Sequence, residues 1–184
     1  MKKLLLTVLM LATVTGLALA WSDNFTVTVT PVGDRGVIID SSTYNFGNVN
    51  LNISTYVSTN AIPVTSTGNV TNIEYTIQGA NAATWTLEAD GVETPSANDK
   101  MVMEALFQDA STPAPNQAAF TSLDTVTTSA QQVGDTINFE GTSDMDALGL
   151  NVKKFLFFRV ITPPSSTVEV QQSFTVTINA ELGS

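Results

Sequence analysis

Two aspartates spaced one residue apart come nearest to a metal-binding pattern in this sequence. Asp144 and Asp146 begin a D-x-D segment, and carboxylate oxygens are ligands that Ca²⁺ prefers. An EF-hand loop starting at Asp144 would need an oxygen ligand at its fifth position and a glutamate at its twelfth, where this chain has Leu148 and Phe155. The mismatch excludes an EF-hand. It favours a solvated acidic loop over the alternative, a looser calcium site built from Asp144, Asp146 and neighbouring carbonyl groups.

The chain lacks the residues on which much enzyme chemistry depends. It has no histidine and no cysteine, which excludes Ser-His-Asp and Cys-His hydrolysis and zinc sites of the usual kind. The glycine-rich loops that hold nucleotide phosphates are absent, as is the G-x-S-x-G nucleophile elbow. The sequence leaves open glycoside hydrolysis by a pair of carboxylates, because the fold decides which carboxylates lie close together. We therefore predict that the protein is not an enzyme and carries no cofactor, with calcium as the one alternative.

The first 20 residues have the three-part layout of a secretory signal peptide. Lys2 and Lys3 precede a short apolar stretch, and Ala18 and Ala20 supply the small-x-small cleavage pattern. The apolar stretch is too short for a membrane-spanning helix, which needs about 20 apolar residues. We expect cleavage after Ala20 and no membrane span in the mature chain. The product is then secreted or held at the cell surface, with the periplasm as the alternative.

The mature chain, residues 21–184, is strongly acidic. The whole sequence has a formal net charge of −10, and removal of Lys2 and Lys3 makes the product more acidic still. Such a surface disfavours nucleic acid and anionic membranes as partners. We expect the partners to be other copies of the chain or other surface proteins. The length suits a single domain, with a lobe boundary near residues 91–100 as the alternative.

Alternation of apolar and polar residues predicts short β-strands along the mature chain. The predicted strands cover residues 24–30, 37–39, 44–53, 62–69, 72–78, 84–89, 101–108, 135–140, 152–161 and 172–182. Of these, 101–108 also has a composition that suits a helix. The segment 152–161 is apolar on both faces, which is typical of a central strand covered on both sides, and the Pro- and Ala-rich segment 110–123 predicts a loop. About nine or ten short strands with regular turn signals indicate an all-β fold, an antiparallel β-sandwich.

Two stretches resemble known proteins. An F-G-x-V element at residues 46–49 precedes a second strand that ends in a turn at 66–69, and residues 42–90 thereby resemble immunoglobulin-like modules of the Hydin type. The turn departs from the asparagine-first form of those modules. Residues 155–182 are similar to the closing strands of small exported bacterial surface proteins of unassigned role. These resemblances imply an immunoglobulin-like fold, a bacterial source and an envelope or extracellular setting, and they bring no catalytic residues.

The mature N-terminus carries an amphipathic segment that is built to join a sheet. Phe25, Val27 and Val29 share one face, with threonines on the other. Burial of each is worth roughly 1.5–3 kcal/mol. In one interpretation, the segment is the first strand of its own sandwich. In the other, it inserts into the next copy, and such head-to-tail insertion produces a filament.

The sequence thus predicts an exported, non-catalytic structural protein of the cell surface or extracellular matrix, a filament subunit that assembles by N-terminal strand exchange. The alternative is a secreted or periplasmic binding module that recognises a protein or glycan through its loops at 91–100 and 110–123. Three of the few basic residues, Lys153, Lys154 and Arg159, lie on the most apolar strand. They either pair with acidic residues of a neighbouring copy or serve as edge protection or local salt bridges.

Overall fold

Most of the alternating segments form strands of two β-sheets. The computed structural model describes residues 34–41, 43–134, 139–141, 145 and 147–183, and within these it contains nine strands. They are β1 (Arg35–Ile39), β2 (Thr55–Val57), β3 (Ile62–Gly68), β4 (Ile73–Ala80), β5 (Thr86–Leu87), β6 (Lys100–Gln108), β7 (Gln131–Val133), β8 (Lys153–Ile161) and β9 (Thr175–Leu182). Two short 3-10 helices span Gln117–Ala119 and Ser122–Asp124. The prediction of an all-β fold is confirmed.

The strands are arranged as a larger and a smaller sheet. The larger has the order β1-β3-β8-β6-β5, with β2 also paired to β8, and the smaller has the order β7-β4-β9. Neighbouring strands are antiparallel except for β5 and β6, which run parallel over two residue pairs. The predicted antiparallel sandwich therefore holds with one short parallel exception.

The hydrophobic core lies between the two sheets. The larger sheet contributes Met103, Phe107 and Phe158, and the smaller contributes Tyr75 and Ile77, all in one buried cluster. Strand alternation places these side chains on the facing sides of the sheets. Residues before and after the 91–100 segment both contribute to this cluster.

Strand β8 is central, as its apolar composition predicts. It pairs with β2 and β3 on one side and with β6 on the other. On the face away from the smaller sheet, Phe157 packs with Leu106 and Phe120 in a second buried cluster. Phe120 belongs to the 110–123 segment, which is a loop with 3-10 turns as predicted. That loop covers the outer face of the larger sheet.

The segment 44–53 forms no strand, and this prediction is wrong. Positive φ angles at Gly47 (71°), Asn52 (67°) and Ile53 (57°) bend the backbone away from an extended course. The Asn45 side chain also accepts the Gly47 N–H at 2.8 Å, which closes a local turn. The alternating apolar side chains do pack against the core; these are Tyr44, Phe46, Val49 and Leu51. The alternation therefore predicted which side chains face the core, but it did not predict the backbone conformation.

A buried serine joins β2 to β3 along one edge of β8. Pairing shifts by two residues between them, because Val57 lies opposite Arg159 and Ile62 lies opposite Leu156. At the interruption, the Ser58 N–H donates to the Phe158 carbonyl at 2.8 Å. The Ser58 Oγ accepts the Phe158 N–H at 2.9 Å. The hydroxyl thus replaces a backbone acceptor.

Replacement of Ser58 by alanine is expected to lower the free energy of unfolding by about 1–3 kcal/mol, because it leaves the buried N–H of Phe158 without an acceptor. Ser58 is only 1% exposed, so water does not take over this role. Ser173→Ala, at an exposed serine, is the control and should change stability by less than about 0.5 kcal/mol. Urea denaturation of both variants measures the difference, and equal effects would contradict this role for Ser58.

Tyr75 carries a hydroxyl that has no hydrogen-bond partner among the described residues. The nearby Ser66 hydroxyl already donates to the Gly149 carbonyl at 2.6 Å and accepts the Val152 N–H at 3.0 Å. Burial raises the pKa of Tyr75 to about 12, although the proximity of Ser66 opposes the shift. The phenol is therefore a buried polar group that the fold tolerates at a cost.

Tyr75→Phe is expected to stabilise the fold by about 1 kcal/mol, because it removes an unsatisfied buried hydroxyl. Tyr56→Phe is the matched control and should destabilise, since the Tyr56 hydroxyl accepts the Asn50 N–H. The folded pKa of Tyr75 lies above its ordinary value, so the native protein loses stability as pH rises through about 10 to 12. Thermal unfolding across this range should show a smaller loss for Tyr75→Phe. A destabilised Tyr75→Phe variant would contradict the assignment.

Candidate assembly edge

Strand β9 forms one edge of the smaller sheet among the described strands. It pairs with β4 without interruption from Thr175, opposite Ala80, to Leu182, opposite Ile73. Within the part of the chain that the structure describes, no strand pairs with its other side. An exposed strand edge of this kind presents backbone donors and acceptors to an incoming strand.

Hydrogen bonds at the end of the sheet show which residues of β9 face this open side. The Gly183 N–H donates to the Asn72 carbonyl at 2.8 Å, while Ile73 exchanges bonds with Leu148 on the opposite side of β4. Backbone bonding in an antiparallel ladder alternates residue by residue. The backbone N–H and C=O groups of every second residue before Leu182 therefore point away from β4. These residues are Ala180, Ile178 and Val176.

The other sheet edges are shorter. Among the described strands, β1 has five residues, β5 two and β7 three, whereas β9 has eight. Natural sheets protect their edges by short strands, lysine, proline or bulges. β9 has none of these features, and Glu181 is its one charged residue. It is the longest and least protected edge that the structure describes.

The described chain begins beside the end of β9. The Asp34 N–H donates to the Asn69 side chain at 2.7 Å, and the Asn69 N–H donates to the Asp34 carbonyl at 2.8 Å. Asn69 begins the short connection from β3 to β4, and Asn72 ends it. The Asn72 side chain donates to the carbonyl of Gly183, directly after β9, at 2.9 Å. Strand β1 then runs alongside β9. The first described residue, Asp34, therefore lies at the end of the sandwich where β9 finishes.

The sequence-predicted site residues lie outside the described residues. This applies to the assembly residues Phe25, Val27 and Val29 and to the candidate calcium ligands Asp144 and Asp146. Within the described ranges, no group of three or more metal-ligating side chains occurs.

The predicted inward face of the last strand is confirmed. Ile178 is buried in the core cluster, and the half-buried side chains of Phe174, Val176 and Ala180 pack against it. The apolar side chains of β9 therefore point into the core, and among the described strands its backbone pairs with β4 alone.

The basic residues of β8 pair within the chain. Lys153 contacts Asp40 at 3.1 Å, and Lys154 contacts Asp109 at 2.6 Å. Arg159 pairs with Glu104, which lies directly opposite it on β6. These pairs support the interpretation of local salt bridges over contacts with a neighbouring copy.

The pair formed by Glu104 and Arg159 lies beneath the loop that covers the larger sheet. Arg159 donates through Nε and Nη2 to both carboxylate oxygens of Glu104. Its Nη1 donates to the Gln117 carbonyl at 2.7 Å, and the guanidinium lies 5.5 Å from the Phe120 ring centroid. Burial raises the pKa of Glu104, although the hydrogen bonds and charge of Arg159 oppose the shift. This arrangement holds the loop against the sheet.

A separate open groove of about 460 Å³ lies where residues 87–90 meet residues 127–131 and Lys100. Glu88 accepts the Ser96 N–H and hydroxyl, both at 2.6 Å, and lies 3.3 Å from the Lys100 ammonium. Partial burial opposes ionisation of Glu88, but these interactions hold its pKa below the ordinary value.

The two loops that the sequence predicted for binding contribute little to this groove. Of the 91–100 loop, Lys100 lines it, and the 110–123 loop lines none of it. The sequence analysis missed 127–131, whose threonine, serine and glutamine residues carry no motif. Trp85 is buried, with its Nε1 donating to the Ser166 hydroxyl at 2.8 Å. Every aromatic side chain that the structure describes is buried or half-buried, so none forms an exposed sugar platform.

Comparison with protein-family models, curated proteins and solved structures found no match for this chain. In the described residues, the structure has no helix of the length and apolar character needed to cross a membrane.

Proposed function

We propose that this protein is an exported, non-catalytic structural subunit of the cell surface or extracellular matrix, which assembles when its N-terminal segment adds to the sheet of another copy. The observation that carries this proposal is the eight-residue edge of β9, with which no second described strand pairs. A strand that pairs along this edge gains main-chain hydrogen bonds without rearrangement of the core.

The position of the chain's N-terminal segment supports the same function. The described sandwich starts at Asp34, next to the end of β9, and residues 24–30 form an amphipathic pattern just before it. Each copy then has a strand to donate and an edge to accept one. Because the two surfaces differ, the contact is head-to-tail, and it extends into a filament if the rotation does not close a ring.

The predicted signal peptide and the residue types of the chain also favour a structural role. Cleavage after Ala20 would free the segment for pairing and release an acidic product outside the cytoplasm. The charged clusters of the described residues are engaged in internal pairs, and the chain has no histidine or cysteine for acid–base or thiol chemistry.

Electron microscopy of the mature chain, residues 21–184, tests this proposal against a chain that lacks residues 21–30. The mature chain should form fibres at micromolar concentration. The shortened chain should stay a folded monomer, because it keeps every described residue of the core between the two sheets. An unfolded shortened chain would show instead that the segment is an integral strand of its own sandwich.

The groove at residues 87–90 and 127–131 favours a second candidate function, recognition of a protein or glycan. Its polar lining offers hydrogen-bond donors and acceptors near Lys100 and Asp90. A glycan-binding screen with the wild-type chain and with Lys100→Ala tests this function. Binding that disappears in the variant would support the binding module, and fibre formation unaffected by Lys100→Ala would keep the two functions distinct.

A further inference from the structure

We infer that a buried cluster of three charged residues takes up one proton as the pH falls, and that the loop above the cluster is a pH-responsive cover. The cluster consists of Glu104, Asp124 and Arg159, and the proton binds to Asp124. The 110–123 loop is held most strongly while the cluster carries this proton. As the proton leaves, the loop loosens over the apolar outer face of the larger sheet.

Among the described residues, the cluster contains two carboxylates and only one guanidinium. Glu104 is 0% exposed, Asp124 2% and Arg159 8%. Glu104 accepts hydrogen bonds from Arg159 with both of its oxygens, so the charge of Arg159 is already balanced when Asp124 ionises. With both carboxylates ionised, the cluster holds an excess negative charge away from water. A buried acidic group in this position favours its protonated form.

Asp124 is held beside the ion pair because the chain is fixed to β6 directly after it. Thr125 and Glu104 form an antiparallel β-bridge. The Val126 N–H then donates to the Met103 carbonyl at 2.7 Å. The end of the loop, and Asp124 with it, therefore stays against the buried pair.

Charged groups on three other elements face the carboxylate of Glu104. Arg159 on β8 attracts it, while Asp124 and Glu93, in the connection from β5 to β6, repel it. The charge of Arg159 also attracts Asp124, although the two share no hydrogen bond among the described contacts. Because Glu104 has the direct hydrogen bonds to Arg159, it keeps its charge more readily, and the proton goes to Asp124.

The Thr121 hydroxyl provides an acceptor for this proton. It donates to the Asp124 Oδ2 at 3.0 Å while that carboxyl is ionised. A hydroxyl is both a donor and an acceptor, so it can turn and accept a hydrogen bond from the protonated Oδ2. The other carboxyl oxygen keeps its hydrogen bond from the Phe139 N–H at 2.8 Å. Asp124 therefore binds the proton without losing its place in the fold.

The direction of the pH effect follows from burial. Burial raises the pKa of Asp124 above its ordinary value of 3.8, although the hydrogen bonds that it accepts and the charge of Arg159 oppose the shift. A carboxyl whose pKa is raised by folding gives stability that is complete below the unfolded pKa and is lost as the pH rises through the folded one. The loop is therefore held less strongly as the pH rises above 3.8.

Carbon-13 NMR of the wild-type mature chain tests the proton site. Solution spectra serve for a monomer and magic-angle spinning for fibres, so the result does not depend on assembly. The side-chain carboxyl signal of Asp124 should titrate with a midpoint above pH 3.8. A midpoint at or below that value would overturn the inference.

Hydrogen–deuterium exchange tests the link between the proton and the loop. Between about pH 4.5 and about pH 7.5, the wild-type amides of residues 120–126 should lose protection relative to those of β4 and β9. After correction for intrinsic exchange, the loss should be at most about tenfold per pH unit, the limit for one proton. Asp124→Asn cannot take up the proton and should show no such loss. Asp90→Asn, at an exposed carboxylate, is the control and should behave as the wild type.

Two results of the exchange experiment would overturn the inference. One is relative protection of 120–126 that does not change with pH in the wild-type chain. The other is a folded Asp124→Asn variant that loses protection as the wild type does. If Asp124→Asn does not fold, the titration and the exchange of the wild-type chain decide the matter by themselves.

Discussion

Glu104→Gln lowers the free energy of unfolding by about 3–5 kcal/mol, the largest stability effect that we expect from a single conservative substitution in this protein. Glu104 is fully buried, and Arg159 is 8% exposed. The glutamine leaves the buried Arg159 guanidinium without its directly paired carboxylate, and Asp124 is then the acidic group that still interacts with it. The remaining contacts of the guanidinium, the Gln117 carbonyl and the Phe120 ring, do not replace that charge. Denaturation in urea measures the loss.

Two controls separate a broken buried pair from a general loss of charge. The double variant Glu104→Leu with Arg159→Met should regain most of the lost stability, because a buried pair replaced by apolar residues of similar size leaves no unpaired charge. Asp40→Asn removes the partner of Lys153 in an exposed pair and should cost about 1 kcal/mol or less. A Glu104→Gln variant no less stable than Asp40→Asn would contradict the assigned role of the buried pair.

Val27→Asp abolishes assembly and leaves the fold of the monomer unchanged. The substitution removes roughly 1.5–3 kcal/mol of apolar burial and places a charge against the core of the acceptor. Together these effects weaken association by at least about a hundredfold, since each 1.4 kcal/mol changes an affinity tenfold. Sedimentation velocity at several concentrations measures the loss of oligomers.

Thr28→Asp is the matched control for this prediction. It introduces the same charge one residue away, on the face that points to solvent in the proposed pairing, so it should retain most of the assembly. Thermal unfolding of Val27→Asp should match that of the wild-type monomer. A lowered melting temperature in dilute Val27→Asp samples would show that the segment is a strand of its own sandwich.

Local alternation was sufficient to predict the long strands. The bounds of β6, β8 and β9 lie close to those of the predicted segments. In these strands the apolar residues of the sequence pattern are the ones that face the core. β2 and β7 were not predicted, since each has only three residues and is defined by its neighbours in the sheet. The prediction of a strand at 44–53 was wrong because Asn52 and Ile53 have positive φ angles. The alternation of apolar and polar residues does not indicate such turns.

Features that depend on strand order could not be obtained from the sequence. Glu104 and Arg159 are far apart along the chain, and only the register of β6 against β8 places them together. The open edge of β9 likewise depends on which strands are neighbours in the smaller sheet. The immunoglobulin-like family, the cleavage after Ala20 and the single domain over residues 21–184 stay predictions.

Complementation between two assembly-defective variants tests whether the N-terminal segment of one copy pairs with β9 of another. Val27→Asp keeps an intact β9 edge and cannot donate its N-terminal strand. Ala180→Pro keeps an intact N-terminal segment but loses a backbone donor on the open edge, where proline spares the pairing with β4. Circular dichroism establishes first that both variants are folded.

Sedimentation velocity is then run on each variant and on their mixture. Our account predicts that each variant alone is monomeric and that the mixture forms a 1:1 heterodimer that grows no further, because it contains one working donor and one working acceptor. A mixture that stays monomeric, or an Ala180→Pro chain that assembles by itself, would contradict it.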